Sequence, residues 1–483
     1  MTTELQVAPQ KRLIQHLPQI NIDSILFNTD SYKVSHFLQD PANSGNKHYY
    51  TEARGGPYKE SVMFGLQYLI RKYLTTPITK DEVDMAESFY KSHMGLFDRR
   101  GWNHILNKHG GYLPIEIKAV AEGSKIPVKN VVSSTVSLDH SVRWVAGWVE
   151  AMLLRGIWYP SSVATLSYNV RMSMIPFWKK TSDSPIESLD FKLHDFGARG
   201  ATSLESASLA GAAHLAVGWK GSDTISGMVL ANNFYASPMA GFSIPAAEHS
   251  TITSWGKSRE VDAYLNMINS FKDFPFYAVV SDSYDLWNAI SGIWGGVLKK
   301  RVLEAKGTLV IRPDSGVPVE VVRRCLKMLA EAFGFTVNSK GFKVLNKVRV
   351  IQGDGVNPQT IVDILNMMVE EGFSIDNIAF GMGGQLHQSV DRDTMKWAMK
   401  CSAIERNEPG NWVDVFKDPI TDPGKSSKAG ILGLFYDKQG FITRRLNNGL
   451  NFSGQQNFLE PVFRNGEVLR EYTFEEIRSN VAK

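Results

Sequence analysis

The sequence predicts an α/β fold: an irregular (β/α) barrel in mid-chain, joined to a discontinuous mixed α+β domain built from both chain ends. Three observations predict it. Between residues 191 and 384 seven short apolar runs each end on polar or glycine-rich residues. Their polar ends fall at His194, Asp223, His249, Asp282, Asp314, Asp354 and Gly383, at intervals of 26 to 40 residues, against about 30 for one βα unit. Neither flank repeats the pattern. An open doubly wound sheet is the alternative on the same spacing.

The elements follow in order. Residues 1–22 read as a flexible arm and 23–160 as an N-terminal mixed domain. Within it, His48–Ala53 is strand-like and ends in the turn Arg54-Gly55-Gly56-Pro57. Val62–Tyr73 and Lys80–Lys91 carry helical spacing, whereas Tyr112–Glu122 alternates like a strand. Val131–Leu138 suggests more sheet. Trp144–Tyr159 reads as a buried helix, Pro160 as a break, and Ala164–Trp178 as a second helix. The barrel is expected over 161–400, its helices clearest at Pro318–Phe333 and Gln359–Glu371. Beyond it, Asn411–Lys417, Leu432–Tyr436, Phe441–Arg444 and Val462–Asn465 look like strands, with a closing helix at Thr473–Asn480. The tail 401–483 is expected to pack back on the N-terminal domain.

Composition narrows the function. A net charge of +4 spread over 53 basic and 49 acidic residues gives no nucleic-acid footprint. Cys325 and Cys401 have no metal-ligand spacing, so a reducing cytoplasm is expected. Trp144–Tyr159 contains Glu150 and Arg155 and falls short of the ~20 residues that span a bilayer, so no membrane association is expected. Walker A, GxGxxG, HExxH and GxSxG motifs are all missing from the sequence.

The expected barrel rim carries the chemistry. Arg199, Arg312, Arg392, Lys400 and Lys425 offer cations, and Asp223, Asp282, Asp314 and Asp354 offer carboxylates. Arginine grips phosphate bidentately. Glycine turns at 353–355 and 381–384 let backbone N–H groups approach an anion. Carboxylates suit ribose hydroxyls or hydrated Mg²⁺. Each feature alone is an ordinary turn or surface ion pair; together they suit a ligand with a sugar, a phosphate and a second anionic group.

Three stretches carry a resemblance: Asn28-Thr29-Asp30-Ser31-Tyr32-Lys33, Lys192-Leu193-His194-Asp195-Phe196-Gly197-Ala198-Arg199-Gly200, and Ser243-Ile244-Pro245-Ala246-Ala247-Glu248-His249-Ser250-Thr251. With Val280–Asp285, Ile311–Gly316, Val350–Val356, Ala379–Gly384 and Val415–Pro419, they resemble the nicotinamide phosphoribosyltransferase family of type II phosphoribosyltransferases, in register from about Phe27 to Ile477. The resemblance implies transfer of phosphoribose from phosphoribosyl pyrophosphate to nicotinamide in NAD salvage, by a homodimer with shared active sites. It implies Mg²⁺, and ATP as a co-substrate that phosphorylates His249, with Glu248 and Asp282 orienting the imidazole.

By the same resemblance, Phe196 and Tyr32 of the second subunit sandwich the pyridine ring, beside Ile244 and Ala246. Asp223 receives the carboxamide and Arg312 faces the amide and the diphosphate. Arg199, His249, Lys400, Lys417, Lys425 and Arg54 lie along the diphosphate or ATP path. Gly353, Asp354, Gly383, Gly384 and Arg392 hold ribose and 5′-phosphate, and Asp314 holds ribose or the metal. The short passage after Arg54, together with Ala198 and Ala278, departs from the vertebrate pattern. Three rivals remain: a nicotinate phosphoribosyltransferase, a non-catalytic dimeric signalling or binding protein, and an unrelated Mg²⁺-dependent barrel enzyme.

Overall fold

The computed structural model describes residues 19–422, 425–447, 452 and 454–483; of the expected arm, 1–18 lie outside this set. Six mid-chain strands form one sheet with every neighbour parallel. In spatial order they are Gly221–Ser222, Leu193–Asp195, Ile378–Met382, Val348–Gln352, Thr308–Arg312 and Phe276–Val280.

The seventh expected run, Phe242–Ala247, closes the sheet. Phe242 N–H donates to Lys220 O at 2.7 Å and Ser222 N–H donates to Phe242 O at 3.0 Å, at one edge. At the other edge Ala247 N–H donates to Ala278 O at 2.9 Å, and Ala278 N–H to Pro245 O at 2.8 Å. The same stretch therefore bridges the first and last strands, which decides for a barrel over an open sheet. Pro245 has no N–H to give a ladder, so the stave is held by isolated bridges at Gly221–Phe242 and Ala246–Ala278.

Helices cover the outside. Pro318–Phe333 and Pro358–Glu370 each begin with proline in the first turn, where the missing N–H costs nothing. Asn357 caps the second by accepting from Gln359 and Thr360 N–H. Val322, Cys325, Leu326 and Leu329 form the buried stripe of the first.

A second sheet has seven strands drawn from both chain ends. Its order is Trp412–Asp414, Trp397–Arg406, Ser44–Ala53, Val131–Ser137, Ile115–Ala119, Glu460–Arg464 and Glu467–Val468. The boundaries expected at 160/161 and 400/401 both fall inside single elements, the helix Glu150–Thr181 and the strand Trp397–Arg406. Pro160 does not break that helix, which runs 32 residues with Pro160 and Pro176 inside it. An interior proline costs about 3 kcal/mol, and buried contacts around it offset that. Ser161 Oγ accepts from Phe64 N–H at 3.1 Å and Thr165 Oγ1 from Val62 N–H at 2.9 Å. The helix thereby satisfies two N–H groups of the adjoining segment, whose strand Glu60–Val62 pairs with Lys125–Pro127.

Candidate active site

His249 opens the short helix His249–Thr253 just past the closing stave. Its Nε2 lies 3.3 Å from Asp314 Oδ2 and 3.8 Å from Asp282 Oδ1, carboxylates that follow the two adjacent strands. Ser283 Oγ lies 3.0 Å from Nδ1. Asp282 is itself fixed, its Oδ2 accepting from Asp314 N–H at 2.8 Å and the Ser315 hydroxyl at 2.6 Å. Arg312 Nη2 stands 3.8 Å from Asp314 Oδ2. Asp282 Oδ1 and Arg312 Nε are buried without a hydrogen-bond partner. Such orphans are costly in a closed protein, and here they leave one acceptor and one donor for a ligand.

Glu248 does not join this cluster. It is the residue before the helix, and its carboxylate takes the Ser250 hydroxyl instead of the imidazole. Ser283 is the imidazole partner that sequence reasoning missed. It sits inside the motif Ser281-Asp282-Ser283-Tyr284-Asp285, but nothing in the spacing singles out its hydroxyl.

Phe196 lies at the C-terminal mouth of the barrel. Its backbone N–H donates to Met382 O at 3.0 Å, and its ring rests on the strand carrying Gly381. A Cβ added at Gly381 would lie 2.0 Å from Phe196 Cε2, so only glycine permits this approach. Phe196 and Ile244 pack on Ala278, Val310 and Ile351, small or branched groups lining the lumen. From the opposite end a cavity of about 540 Å³ opens beside Phe276, Arg349 and Asp376 and reaches Val310, Ile351 and Ala379. Lys192 lines it half-buried, its amine pushed down to about 8 by desolvation while donating to Ile375 O and Ile378 O.

The other expected residues divide into two groups. Asp223 is exposed in the single chain, and its Oδ1 accepts the Ser243 hydroxyl at 2.5 Å. Ala246 bridges Ala278. Arg199, in the turn Ala198–Gly200, is exposed, and the turn's Gly200 comes close to Gly384. Asp354 is exposed beside half-buried Gly353, Gly383 is half-buried, and Arg392 is exposed and pairs with Asp393 at 3.1 Å. All but Arg392 lie on or just past barrel strands; Arg392 sits in the turn before the mixed-sheet strand Trp397–Arg406, its carbonyl accepting from Trp397 N–H at 3.0 Å.

Tyr32, Arg54, Lys400, Lys417 and Lys425 belong elsewhere. Tyr32 is 55% exposed on the 3₁₀ helix Ser31–Leu38, beside His36. Among the described residues no aromatic contact joins it to Phe196. Lys400 lies on the mixed sheet, 3.8 Å from Glu150, its pKa lowered by burial and by the neighbouring Arg54, Lys417 and Lys33. Arg54 pairs with Glu52 at 3.2 Å and Lys425 with Asp422 at 3.2 Å.

One group with metal-ligand types lies outside the barrel. His104 and His109 each place Nε2 2.9 Å from Asp139 Oδ2, but Lys108 Nζ holds the same oxygen at 2.8 Å. The carboxylate already has its cation, and the cluster ties the helix Arg99–His109 to the turn that follows the strand Val131–Ser137.

The closed parallel barrel, the second domain and the rim chemistry define a class, the type II phosphoribosyltransferases. The fold is shared with nicotinate-nucleotide pyrophosphorylase from Pyrococcus furiosus, at TM-score 0.62 and 14% identity over 97% of both chains. Human nicotinic acid phosphoribosyltransferase superposes with TM-score 0.56 at 15% identity, covering 94% of this chain and 92% of the other. A profile of the nicotinate phosphoribosyltransferase (NAPRTase) family matches residues 191–466, and one of the nicotinamide phosphoribosyltransferase N-terminal domain matches 24–117. The nicotinamide phosphoribosyltransferase of Xanthomonas campestris pv. campestris (strain 8004) is 49% identical over 463 residues, 95% of this chain and 98% of the relative. That of Mycoplasma genitalium is 30% identical, over 84% of this chain and 94% of the relative. The chain belongs to the nicotinamide phosphoribosyltransferase family.

Proposed function

We propose that this chain is a pentosyltransferase that converts nicotinamide and phosphoribosyl pyrophosphate to nicotinamide mononucleotide and diphosphate, in NAD salvage. The observation that supports it most is one barrel mouth holding both the Phe196 ring, laid on the Gly381 strand, and the His249–Asp282–Asp314–Arg312 cluster with its two orphaned polar atoms. The pyridine ring stacks on Phe196. Its nitrogen attacks the anomeric carbon, the C–O bond to diphosphate breaks, and the electron pair leaves with diphosphate. A pyridine nitrogen needs no general base, so catalysis consists of positioning and of stabilising charge. Arg312 and Arg199 take the diphosphate; Gly353, Asp354, Gly383, Gly384 and Arg392 take the ribose and 5′-phosphate. Ser243 occupies one oxygen of Asp223, leaving the other for the carboxamide N–H. A nicotinate carboxylate in that place is repelled.

His249 acts beside this reaction. With Nε2 toward two carboxylates and Ser283 at Nδ1, the proton belongs on Nε2 and the lone pair on Nδ1. Nδ1 then takes the γ-phosphoryl group of ATP: an N–P bond forms, the Pγ–O bond to ADP breaks, and ADP leaves. Asp282 Oδ1, orphaned, and Asp314 form an oxygen donor set that fits Mg²⁺; when bound, the ion neutralises polyphosphate charge. Tyr32 and the Lys33, Arg54, Lys400 and Lys417 group lie apart from Phe196 within one chain, which supports a homodimer whose second subunit completes each site. Two cysteines without a disulfide and no helix, among the described residues, able to cross a membrane accord with a cytoplasmic enzyme. Competing nicotinamide against nicotinate at equal concentration, with and without ATP, tests the assignment. Preference for nicotinamide, strengthened by ATP, is expected; preference for nicotinate overturns it.

A further inference from the structure

The two loops that would hold the ring and the phosphate are joined beneath the rim by a buried polar pair. Leu193–Asp195 and Ile378–Met382 are adjacent parallel strands, with Met382 opposite Asp195. Past their ends the first strand leads to Phe196 and Arg199 and the second to Gly383 and Gly384. Asp195 Oδ1 accepts from Gly197 N–H at 2.7 Å, and His387 Nε2 lies 2.8 Å from the same oxygen. Both side chains are fully buried, and the contact is a close approach without the alignment of a hydrogen bond. The backbone of Gly197 lies on the imidazole: a Cβ there would stand 2.4 Å from His387 Cδ2 and 2.6 Å from Nε2. His387 ends the short helix that begins at Gly384, and its carbonyl accepts from the Tyr159 hydroxyl at 3.0 Å. Burial opposes the charge on Asp195, but His387 and the Gly197 N–H outweigh it and hold the carboxyl below its usual range.

We infer that His387 and Asp195 are positioning residues that make the Phe196 loop and the Gly383–Gly384 loop one unit, so that filling the phosphate site orders the ring site. Neither touches a ligand. The inference rests on the proposed placement of ring and phosphate. A closely packed buried contact has few alternative arrangements, so a shift of His387 when phosphate seats on Gly384 is transmitted to Gly197 and Phe196. By linkage the effect is reciprocal: nicotinamide tightens phosphate binding by the same factor.

The test is calorimetric titration of nicotinamide into the protein, alone and with saturating ribose 5-phosphate, which cannot react. The wild type is expected to bind nicotinamide at least about fivefold tighter with ribose 5-phosphate present. His387→Leu is expected to reduce that ratio to within about twofold, whereas His387→Gln, which keeps an N–H at similar reach, restores most of it. A purely structural role would lower the melting temperature without changing the ratio. Where His387→Leu does not fold, His387→Asn, whose stem is too short to reach Asp195, is expected to lose the coupling in its place. Undiminished coupling in the Leu or Asn variant, or nicotinamide binding without coupling in the wild type, overturns the inference alone. No nicotinamide binding in either state overturns the substrate assignment with it.

Discussion

Gly381→Ala is the substitution that asks most of the ring site. The added methyl would stand 2.0 Å from Cε2, 2.2 Å from Cδ2 and 2.8 Å from Cζ of Phe196. Carbon atoms in contact rest at about 3.5–4.0 Å, so the ring must retreat by roughly 1.5–2 Å. It cannot go inward, because it is packed against the lumen residues Ala278, Val310 and Ile351. Overpacking of this kind costs about 1–3 kcal/mol of stability. A displaced ring forfeits stacking worth about 0.5–1.5 kcal/mol, or a roughly two- to twelvefold rise in KM for nicotinamide. Steady-state kinetics with each substrate varied in turn, on protein checked by thermal melting, reads both effects. A methyl at Gly353 would meet Phe196 Cε2 at 3.4 Å, so Gly353→Ala should shift the nicotinamide KM less. A folded Gly381→Ala protein with unchanged nicotinamide KM would refute Phe196 as the ring platform.

Three further outcomes are expected. His249→Ala retains weak turnover but loses stimulation by ATP, and Ser283→Ala, which removes one neutral hydrogen bond, weakens that stimulation by roughly two- to twelvefold; ATP coupling unchanged in His249→Ala excludes the phosphate-acceptor role. Asp223→Asn narrows the preference for nicotinamide over nicotinate by about tenfold, ~1.4 kcal/mol, read from the ratio of kcat/KM values, and retained discrimination counts against the assigned contact. Burial pushes Glu122 from an ordinary 4.5 up to about 7, against the pull of Gly65 and Gln67 N–H groups. Because the folded form then holds its proton longer than the unfolded chain, stability falls by roughly 3 kcal/mol as pH rises from about 4.5 to 7, and is flat above. Urea unfolding of wild type and Glu122→Gln at pH 5 and pH 8 should show this slope in the wild type and lose it in the variant; parallel slopes would contradict it.

The barrel was legible because each stave is an apolar run that stops where it reaches the rim. Even the irregular stave at Phe242–Ala247 announced itself, since Glu248-His249 follows it directly. Its closing bridges were not legible, because pairing with Lys220 and Ala278 joins segments 20 to 33 residues away with no local signal. Pro160 misled for a related reason: helix propensity is local, and the contacts of Ser161 and Thr165 with Phe64 and Val62 are not. The strand Trp397–Arg406 is not legible, because seven of its ten positions are buried and the part-exposed ones, Lys400, Cys401 and Arg406, do not alternate. Helix Arg99–His109 was missed because only three of its eleven residues are buried. In the site, residues with unusual chemistry in a motif were found, and partners were not. Ser283, Asp195 and His387 are ordinary letters whose meaning comes from what they face.

The seven-stranded sheet has a consequence for synthesis. Its three central strands, Ser44–Ala53, Val131–Ser137 and Ile115–Ala119, leave the ribosome first, yet both outer flanks come from beyond residue 396. Until then Ser44–Ala53 and Ile115–Ala119 present unpaired N–H and C=O rows, the template on which strands from other chains add. The barrel lies between, and its pairings are sequential and nearby except that of Leu193–Asp195 with Ile378–Met382. The nascent chain therefore spends most of its elongation with a sticky, half-finished sheet held open beside a domain able to collapse early. Loss of the last few dozen residues would strip Glu460–Arg464 from one flank, and insoluble protein, more than inactive protein, is the phenotype that such truncation should give.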